Sequence, residues 1–456
     1  MSSFTKTPSL AIRLKRELPP SGNLPAVLQT VGCRWFAYRY FEEAHRRFGD
    51  RFTVYPLDMP PLVFLSDPED IRAVLTADPA VLHPGAGSAI LRPLIGERSF
   101  MLLEEDEHLV SRRAINPAFH HRAVRDHTAM LRTIVERDVA EWPANTTLAV
   151  HPRIRSLTLR VVLNVIFGDV QQLEELHSAL LGALNVSASF LLQEPNLRFL
   201  PGWRPAWRGF VTHRAAVDRM IYDLVRRRRR VRGSDPDQLL DLLLDATRSD
   251  GAPMTDQEIR DNLMSMILAG HETTTGELAW AFQLLAHNTR AQDRLLAEID
   301  EGDGDEYLAA TVSETIRRRP VFLFVIPREV IEPFETGGRT YRPPAHLAGC
   351  TYLMHHNPDL FRRPFEFRPE RFIDETQLPR TWLPWGGGRK HCLGRHFALL
   401  EVKTVLREVL SEHRVLPASG RLEPPRWRSA ILVPGEGGRI VLKRRKSQRH
   451  TAIFFA

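Results

Sequence analysis

Cysteine is scarce in this chain, and the three present, Cys33, Cys350 and Cys392, are too few and too scattered to make a disulfide framework for 456 residues. A reducing compartment follows, and a cytoplasmic location is expected. Long apolar runs are absent too. The N-terminal segment sets Arg13, Lys15 and Arg16 beside Leu10, Ile12 and Leu14 without an apolar stretch of signal-peptide length, and nowhere do about 18 apolar residues follow one another. Neither secretion by that route nor a membrane-spanning anchor is expected. Internal repeats are also missing, which excludes a solenoid. Hydrophobic residues at 43% and charged residues at 26% exclude wholesale disorder and leave a globular chain able to bury a sizeable core.

Charge is present in excess of one sign, with a formal net charge of +7 that comes mostly from arginine. Such an excess raises the question of a nucleic-acid partner. The densest run, Arg226 to Arg230, follows the apolar Met220, Ile221 and Leu224. It reads as the polar end of an amphipathic helix entering a loop. No interleaved aromatics or finger spacing accompany it, so nucleic acid is not expected to bind.

Proline punctuates both ends of the chain, and long segments of helical periodicity lie between. Short β-like runs stand at 52–55, 62–65, 431–433 and 440–442. Thr255 and Glu258 have capping-box spacing, and Leu263, Ile267, Gly270, Thr274 and Leu278 then follow one face to about Asn288. At 1.5 Å per residue this is a rod of roughly 45 to 50 Å, long enough to cross a domain. A second helix is expected over 393–410. Residues 1–20 are expected to be flexible and 443–456 to form a tail.

The stretch Trp385, Gly386, Gly387, Gly388, Arg389, Lys390, His391, Cys392, Leu393, Gly394 is the most informative. Successive glycines permit unusual backbone angles and let the main chain approach a flat ligand closely. Cys392 falls just before a helix N-terminus, where free amides, the positive dipole end, Arg389 and Lys390 all favour a thiolate. Three other readings stand beside a metal-binding thiolate loop. An isolated buried cysteine is commonly an inert apolar residue. Zinc would use His391 and His396, but no second Cys or His pair stands at zinc spacing. A phosphate cradle would need the Walker lysine followed by serine or threonine, which the loop lacks.

This segment resembles the haem-binding loop of the cytochrome P450 family: Phe, two variable residues, Gly, one variable, Arg or His, one variable, Cys, one variable, Gly. Trp385 takes the place of Phe, and Lys390 that of Arg or His. The resemblance implies haem b held by Cys392 within a loop shaped by Gly386, Gly388 and Gly394. Trp385 would lie against the porphyrin with its indole N–H donating to the sulfur, and Lys390 would keep a positive charge near a propionate.

Further motifs stand in the family's order. Ala269, Gly270, His271, Glu272, Thr273 and Thr274 lie on the central helix. Gly270 costs about 1 kcal/mol relative to alanine, and the threonine run weakens the ladder, so a local opening that admits water or dioxygen is expected. The resemblance implies that Ala269 borders the haem, Thr273 holds reduced dioxygen with a water, and Glu272 relays protons. It further implies a buried salt-bridge triad of Glu314, Arg317 and Arg371, with a structural role. His108, Arg112, Arg328 and Lys390 are implied to meet the two haem propionates.

The resemblance spans roughly residues 62 to 440. It implies one large haem domain over 21–442, mainly α with small β-sheets (α+β). Two departures concern loop geometry: 301–307 is short, and 344–347 lacks the family's Pro, Ala, Gly, Thr turn. The implied activity is monooxygenation, with one atom of O2 inserted into a lipophilic molecule such as a terpenoid, fatty acid or polyketide. The pocket is expected to be lined by Leu263, Met266, Ala269, residues 321–325, Ile431 and Leu432, with the loop 79–95.

Only 64 residues follow Cys392 (456 minus 392), so no fused flavin module is expected there. Electrons from NAD(P)H would then arrive through a ferredoxin or flavodoxin and its reductase, docking on Arg112, Arg113, Arg389, Arg395 and Lys403. A monomer is expected. Two other readings are a haem-thiolate peroxygenase or isomerase and a non-catalytic haem sensor. Glu272 and Thr273 count against the first, and a substrate-dependent spin shift separates the second.

Overall fold

A computed structural model describes residues 17–445 apart from 58, 169, 171, 188–203, 232–237, 303 and 375–381. Its longest element is the central helix Asp256–His287, and the capping box at its start is formed. The Glu258 amide donates to Thr255 Oγ1 at 3.2 Å, and the Thr255 amide donates to the Glu258 carboxylate at 2.8 Å. Between Ile259 and Ala286 this helix is buried almost all round. It therefore runs through the core instead of lying on it.

Helices Val150–Phe167, Glu306–Arg318 and Arg395–Glu412 pack around it. Gly270 marks the crossing with the first of these, because a Cβ there would stand 3.0 Å from Val162 Cγ2. The glycine thus serves a close helix contact. The expected opening of the helix is not a break: Thr273, Thr274 and Thr275 each donate to the carbonyl four residues back, and the helix stays continuous.

Twelve strands are described. The main sheet holds β1 (Arg51–Val54), β2 (Leu62–Leu65), β3 (Leu82–His83), β5 (Arg328–Val330) and β8 (His346–Gly349) in the order β1-β2-β8-β5-β3. Only β2 and β8 are parallel, with Leu62 opposite His346. A three-stranded sheet joins β4 (Thr147–Ala149), β12 (Arg439–Arg444) and β9 (His413–Pro417). Two hairpins complete the set: β6 (Phe334–Thr336) with β7 (Arg339–Tyr341), and β10 (Pro425–Arg428) with β11 (Ile431–Pro434).

Rings of Phe41, Phe52, Phe64 and Phe324 meet against the main sheet at centroid distances of 4.7 to 6.1 Å. Leu323 and Leu432, expected in the pocket wall, fill this aromatic cluster instead. Val321 and Ile431 pack with Trp280 and Val433 on the central helix.

Two terminal expectations need correction. Leu18 is buried, and Thr53 bonds through its amide to Pro20 and through its hydroxyl to Pro19, so residues 18–20 are anchored on β1. Lys443 and Arg444 belong to β12, whereas residues 1–16 and 446–456 lie outside the described residues. The arginine run is more than a wetted helix end. Arg228 holds Asp241 with two bonds of 2.6 Å, and Arg229 reaches Asp256 and the Met254 carbonyl, tying helix Arg204–Arg230 to the start of the central helix. Among the described residues no helix is long and apolar enough to cross a membrane.

Candidate haem site

The glycine loop before helix Arg395–Glu412 turns through left-handed angles at Gly386 (φ 67) and Gly388 (φ 65). A side chain at Gly388 would collide with the Leu75 carbonyl oxygen, 1.9 Å from the position of a Cβ. Helix Pro68–Thr76 therefore backs the loop, and glycine is required there. The Cys392 amide donates to the Trp385 carbonyl at 2.9 Å, closing the turn.

Cys392 has free side-chain surface although it lies deep among protein atoms. Burial raises its thiol above the usual value, against the Gly394 amide, Arg112 and Arg395, which lower it. The expectation of a thiolate favoured by Arg389 and Lys390 is thus corrected in both cation and direction. A bound metal would supply the missing counter-charge, since a coordinating thiol is deprotonated outright. Trp385 touches the cysteine through its backbone; its indole makes no hydrogen bond to the sulfur, contrary to expectation.

The four expected propionate partners divide in two. Arg328, at the start of β5, is buried and, among the described residues, has no carboxylate in ion-pair contact and no hydrogen-bond partner for its Nε; burial pushes its guanidinium down to about 10. Such a cation calls for an anion. Arg112 holds the loop, donating through Nη2 to the His391 carbonyl at 2.7 Å. Lys390 is largely occupied, its ammonium donating to Met101 O at 3.1 Å and Leu103 O at 2.8 Å, 4.0 Å from Glu104. His108 faces two carbonyls, Phe100 O at 2.9 Å from Nδ1 and Arg389 O at 3.5 Å from Nε2. Burial, with Lys390 nearby, holds it neutral by lowering its pKa to about 4. A neutral imidazole has one N–H, and the shorter contact claims it, which leaves Nε2 without a proton for a propionate.

In the central helix, Ala269, Gly270 and Thr273 are the only residues from Ile259 to Ala286 that are not buried. They form one patch at i, i+1 and i+4. Thr273 Oγ1 donates to Ala269 O at 2.7 Å, which leaves its oxygen free to accept from a group on the patch.

Glu272 points elsewhere. Its Oε1 takes the Arg155 Nε–H at 3.0 Å, and Arg428 Nε lies 3.5 Å from Oε2. Burial alone would lift this carboxyl, but His271, Arg155, Arg428 and His151 together hold it below the usual carboxylate range. The site's acid is therefore ionised and clamped.

The expected triad comes together. Arg317 grips Glu314 with bonds of 2.7 and 2.9 Å, and Arg371 Nε stands 3.0 Å from Glu314 Oε2, with all three side chains buried. Glu314 Oε1 also accepts the Arg368 amide, and Arg317 bonds the carbonyls of His355, Pro364 and Glu366. This node ties down the chain that leads toward the cysteine loop.

Three residues escaped sequence reasoning. Arg155 is the buried one of three arginines in helix Val150–Phe167, and nothing in the sequence sets it apart from Arg153 and Arg160. Arg428 sits at a hairpin tip with no motif around it. Glu401 on the cysteine helix is buried against Thr274, and burial raises its carboxyl well above the usual range. Its neighbour Val402 carries the apolar pattern, so the sequence disguised it.

An open sulfur on a glycine turn, a buried unpaired guanidinium and an open patch on a buried helix are what a haem-thiolate centre requires, and these residues fit iron protoporphyrin. The cytochrome P450 family model matches residues 18–441. Cytochrome P450 135B1 of Mycobacterium tuberculosis is 33% identical over 439 residues, covering 93% of this chain and 91% of its own. Cytochrome P450 135A1 of the same species is 33% identical over 447 residues, covering 95% and 97%. Among solved structures, cyanobacterial CYP120A1 with retinoic acid bound has a TM-score of 0.82 at 21% identity, over 94% of this chain and 99% of that one. The heme domain of cytochrome P450DA gives 0.80 at 22% identity, over 94% and 98%. The chain belongs to the cytochrome P450 family. It is a monooxygenase of mainly α fold with small sheets.

Proposed function

We propose that residues 21–442 act as one haem-thiolate unit that inserts an oxygen atom from O2 into a lipophilic small molecule. Electrons come from NAD(P)H through a separate ferredoxin or flavodoxin and its reductase. Haem b, when bound through Cys392, supplies the reductive activation of dioxygen. Arg328 provides the counter-charge for a propionate, with Arg112 as second partner, while Lys390 fixes the loop that carries the ligand and His108 packs neutral beside it. Thr273 accepts a hydrogen bond at Oγ1 on the open patch. Glu272 holds a negative charge one residue away and takes up a proton when it leaves Arg155. Ala269, apolar and open on the helix, supports a lipophilic substrate, whereas Leu263, Met266, Val321 and Ile431, also expected in the pocket wall, are buried in the core.

The observation that carries this reading is the patch of Ala269, Gly270 and Thr273, open in the middle of an otherwise buried helix. The reduced protein under carbon monoxide is expected to show the red-shifted Soret band of thiolate ligation, lost in Cys392→Ala. Turnover is expected to need both dioxygen and a reductant. Turnover on peroxide alone, with none on dioxygen and reductant, would favour a peroxygenase instead.

A further inference from the structure

Beside the open patch, on the adjoining face of the helix, the described residues gather more positive charge than their own carboxylate can balance. Arg155 from helix Val150–Phe167 and Arg428 from the tip of the β10–β11 hairpin both address Glu272. Both also donate to one oxygen, Asn185 Oδ1 of helix Leu173–Ser187, at 2.5 Å from Arg155 and 2.8 Å from Arg428. His151 and His271 complete the cluster, and burial holds both neutral, His151 at about 4 and His271 at about 3. Among the described residues, two guanidiniums against one carboxylate leave a net charge of +1.

The cluster's hydrogen-bonding capacity is unfilled as well. Among the described residues Arg155 Nη2 and both ring nitrogens of His271 are buried without a hydrogen-bond partner, and Arg428 Nε has only its 3.5 Å approach to Glu272 Oε2. Arg155 is 6% exposed and His271 0%, so water outside does not serve them. A surplus buried cation with idle donors is costly unless an anion arrives.

Location says which anion. Arg428 is the last residue of β10, paired with Ile431, and Ile431 packs on the central helix beside Gly276. Glu272 and Gly276 lie one helical turn apart on one face, and Thr273 and Ala269 form the adjoining face. Arg428 is a quarter exposed, so it is the reachable member of the pair. A molecule lying along the patch would therefore carry an apolar body over Ala269 and its polar end toward Arg428.

We infer that this enzyme selects lipophilic substrates bearing a carboxylate, and that Arg428, seconded by Arg155, is the residue that recognises it. The inference rests on the monooxygenase reading and names its substrate class. An Arg and a carboxylate match as a planar two-bond pair, which an ester or alcohol cannot form. Engagement of Arg428 by the ligand also removes one of the two cations that clamp Glu272, so the acid is loosened when the ligand is seated.

The test uses the ferric holoenzyme and paired probes: dodecanoic and hexadecanoic acids and a cyclic diterpene acid, each beside its methyl ester. Dissociation constants come from the Soret spin shift and from calorimetry. At least one acid is expected to bind tenfold or more tightly than its ester. Arg428→Gln should abolish that preference, and Arg428→Lys should keep part of it. Asn185→Asp is the complementary variant: Asn185 is exposed, and the new carboxylate would neutralise both arginines in place. It should weaken acids tenfold while leaving ester affinity within twofold.

Equal binding of acid and ester, no binding of any acid, or an equal loss for both in Asn185→Asp overturns the inference. The carbon monoxide spectrum of each variant reads the thiolate centre independently, so a failed haem site cannot be mistaken for a failed substrate preference.

Discussion

Burial pushes the Glu277 carboxyl up to about 8, and the Val321 amide at 3.3 Å is the only group that lowers it. The linkage sign follows from the direction of the shift. A carboxyl with a folded pKa above its unfolded value keeps its proton longer in the native state. Its contribution is favourable below the unfolded pKa of about 4.5 and is lost as pH climbs toward 8. Each pKa unit is worth about 1.4 kcal/mol, so the loss is on the order of 5 kcal/mol at most. Glu277→Gln keeps an oxygen for the Val321 amide and removes the titration. Its melting temperature relative to the parent is expected to be higher at pH 8 than at pH 5, measured on holoenzyme by circular dichroism. An equal offset at both values would show that Glu277 is not protonated in the native state.

At the scale of elements, the node of Glu314, Arg317 and Arg371 concentrates several segments on one carboxylate. Glu314→Gln leaves Arg317 and Arg371 buried without their counter-charge, a change that typically costs about 3 to 5 kcal/mol. Urea unfolding is expected to shift accordingly, and the Soret band should be lost at lower urea than the helical signal, because the segment leading to the cysteine loop loosens first. Coincident loss of both signals would place the node outside haem retention.

The same scale shows what the sequence made legible. Thr255 and Glu258 announce a helix start because capping is local chemistry, and the cysteine loop announces itself because Gly388 and Cys392 stand only four positions apart in sequence. Arg155 and Glu272 meet across 117 residues, and Arg428 joins them from a hairpin tip. No local pattern encodes that meeting, which comes from packing two helices and a turn. The Lys390 expectation went astray for the same reason. A charge in a motif is visible in sequence, but the carbonyls of Met101 and Leu103 that claim it are brought in by the fold.

For the whole molecule, the remaining question is where a reductant meets the surface. Five cations were expected to receive an acidic partner, and the fold sorts them. Arg112 turns inward to the His391 carbonyl, and Lys403 pairs with Asp305 at 2.5 Å. Arg113, Arg389 and Arg395 remain exposed around the cysteine loop. Exposed charges act mainly on association rate and are screened by salt, whereas paired ones add little. Charge reversal at Arg113 and Arg389 together is therefore expected to slow reduction by an acidic ferredoxin at least tenfold at low ionic strength. Lys403→Glu is expected to change it less than threefold. Stopped-flow reduction rates across a salt series check this, since the double variant should also lose most of its salt dependence. If Lys403→Glu proves as damaging as the double reversal, the partner docks nearer the Asp305 side, and the surface assigned to it must move.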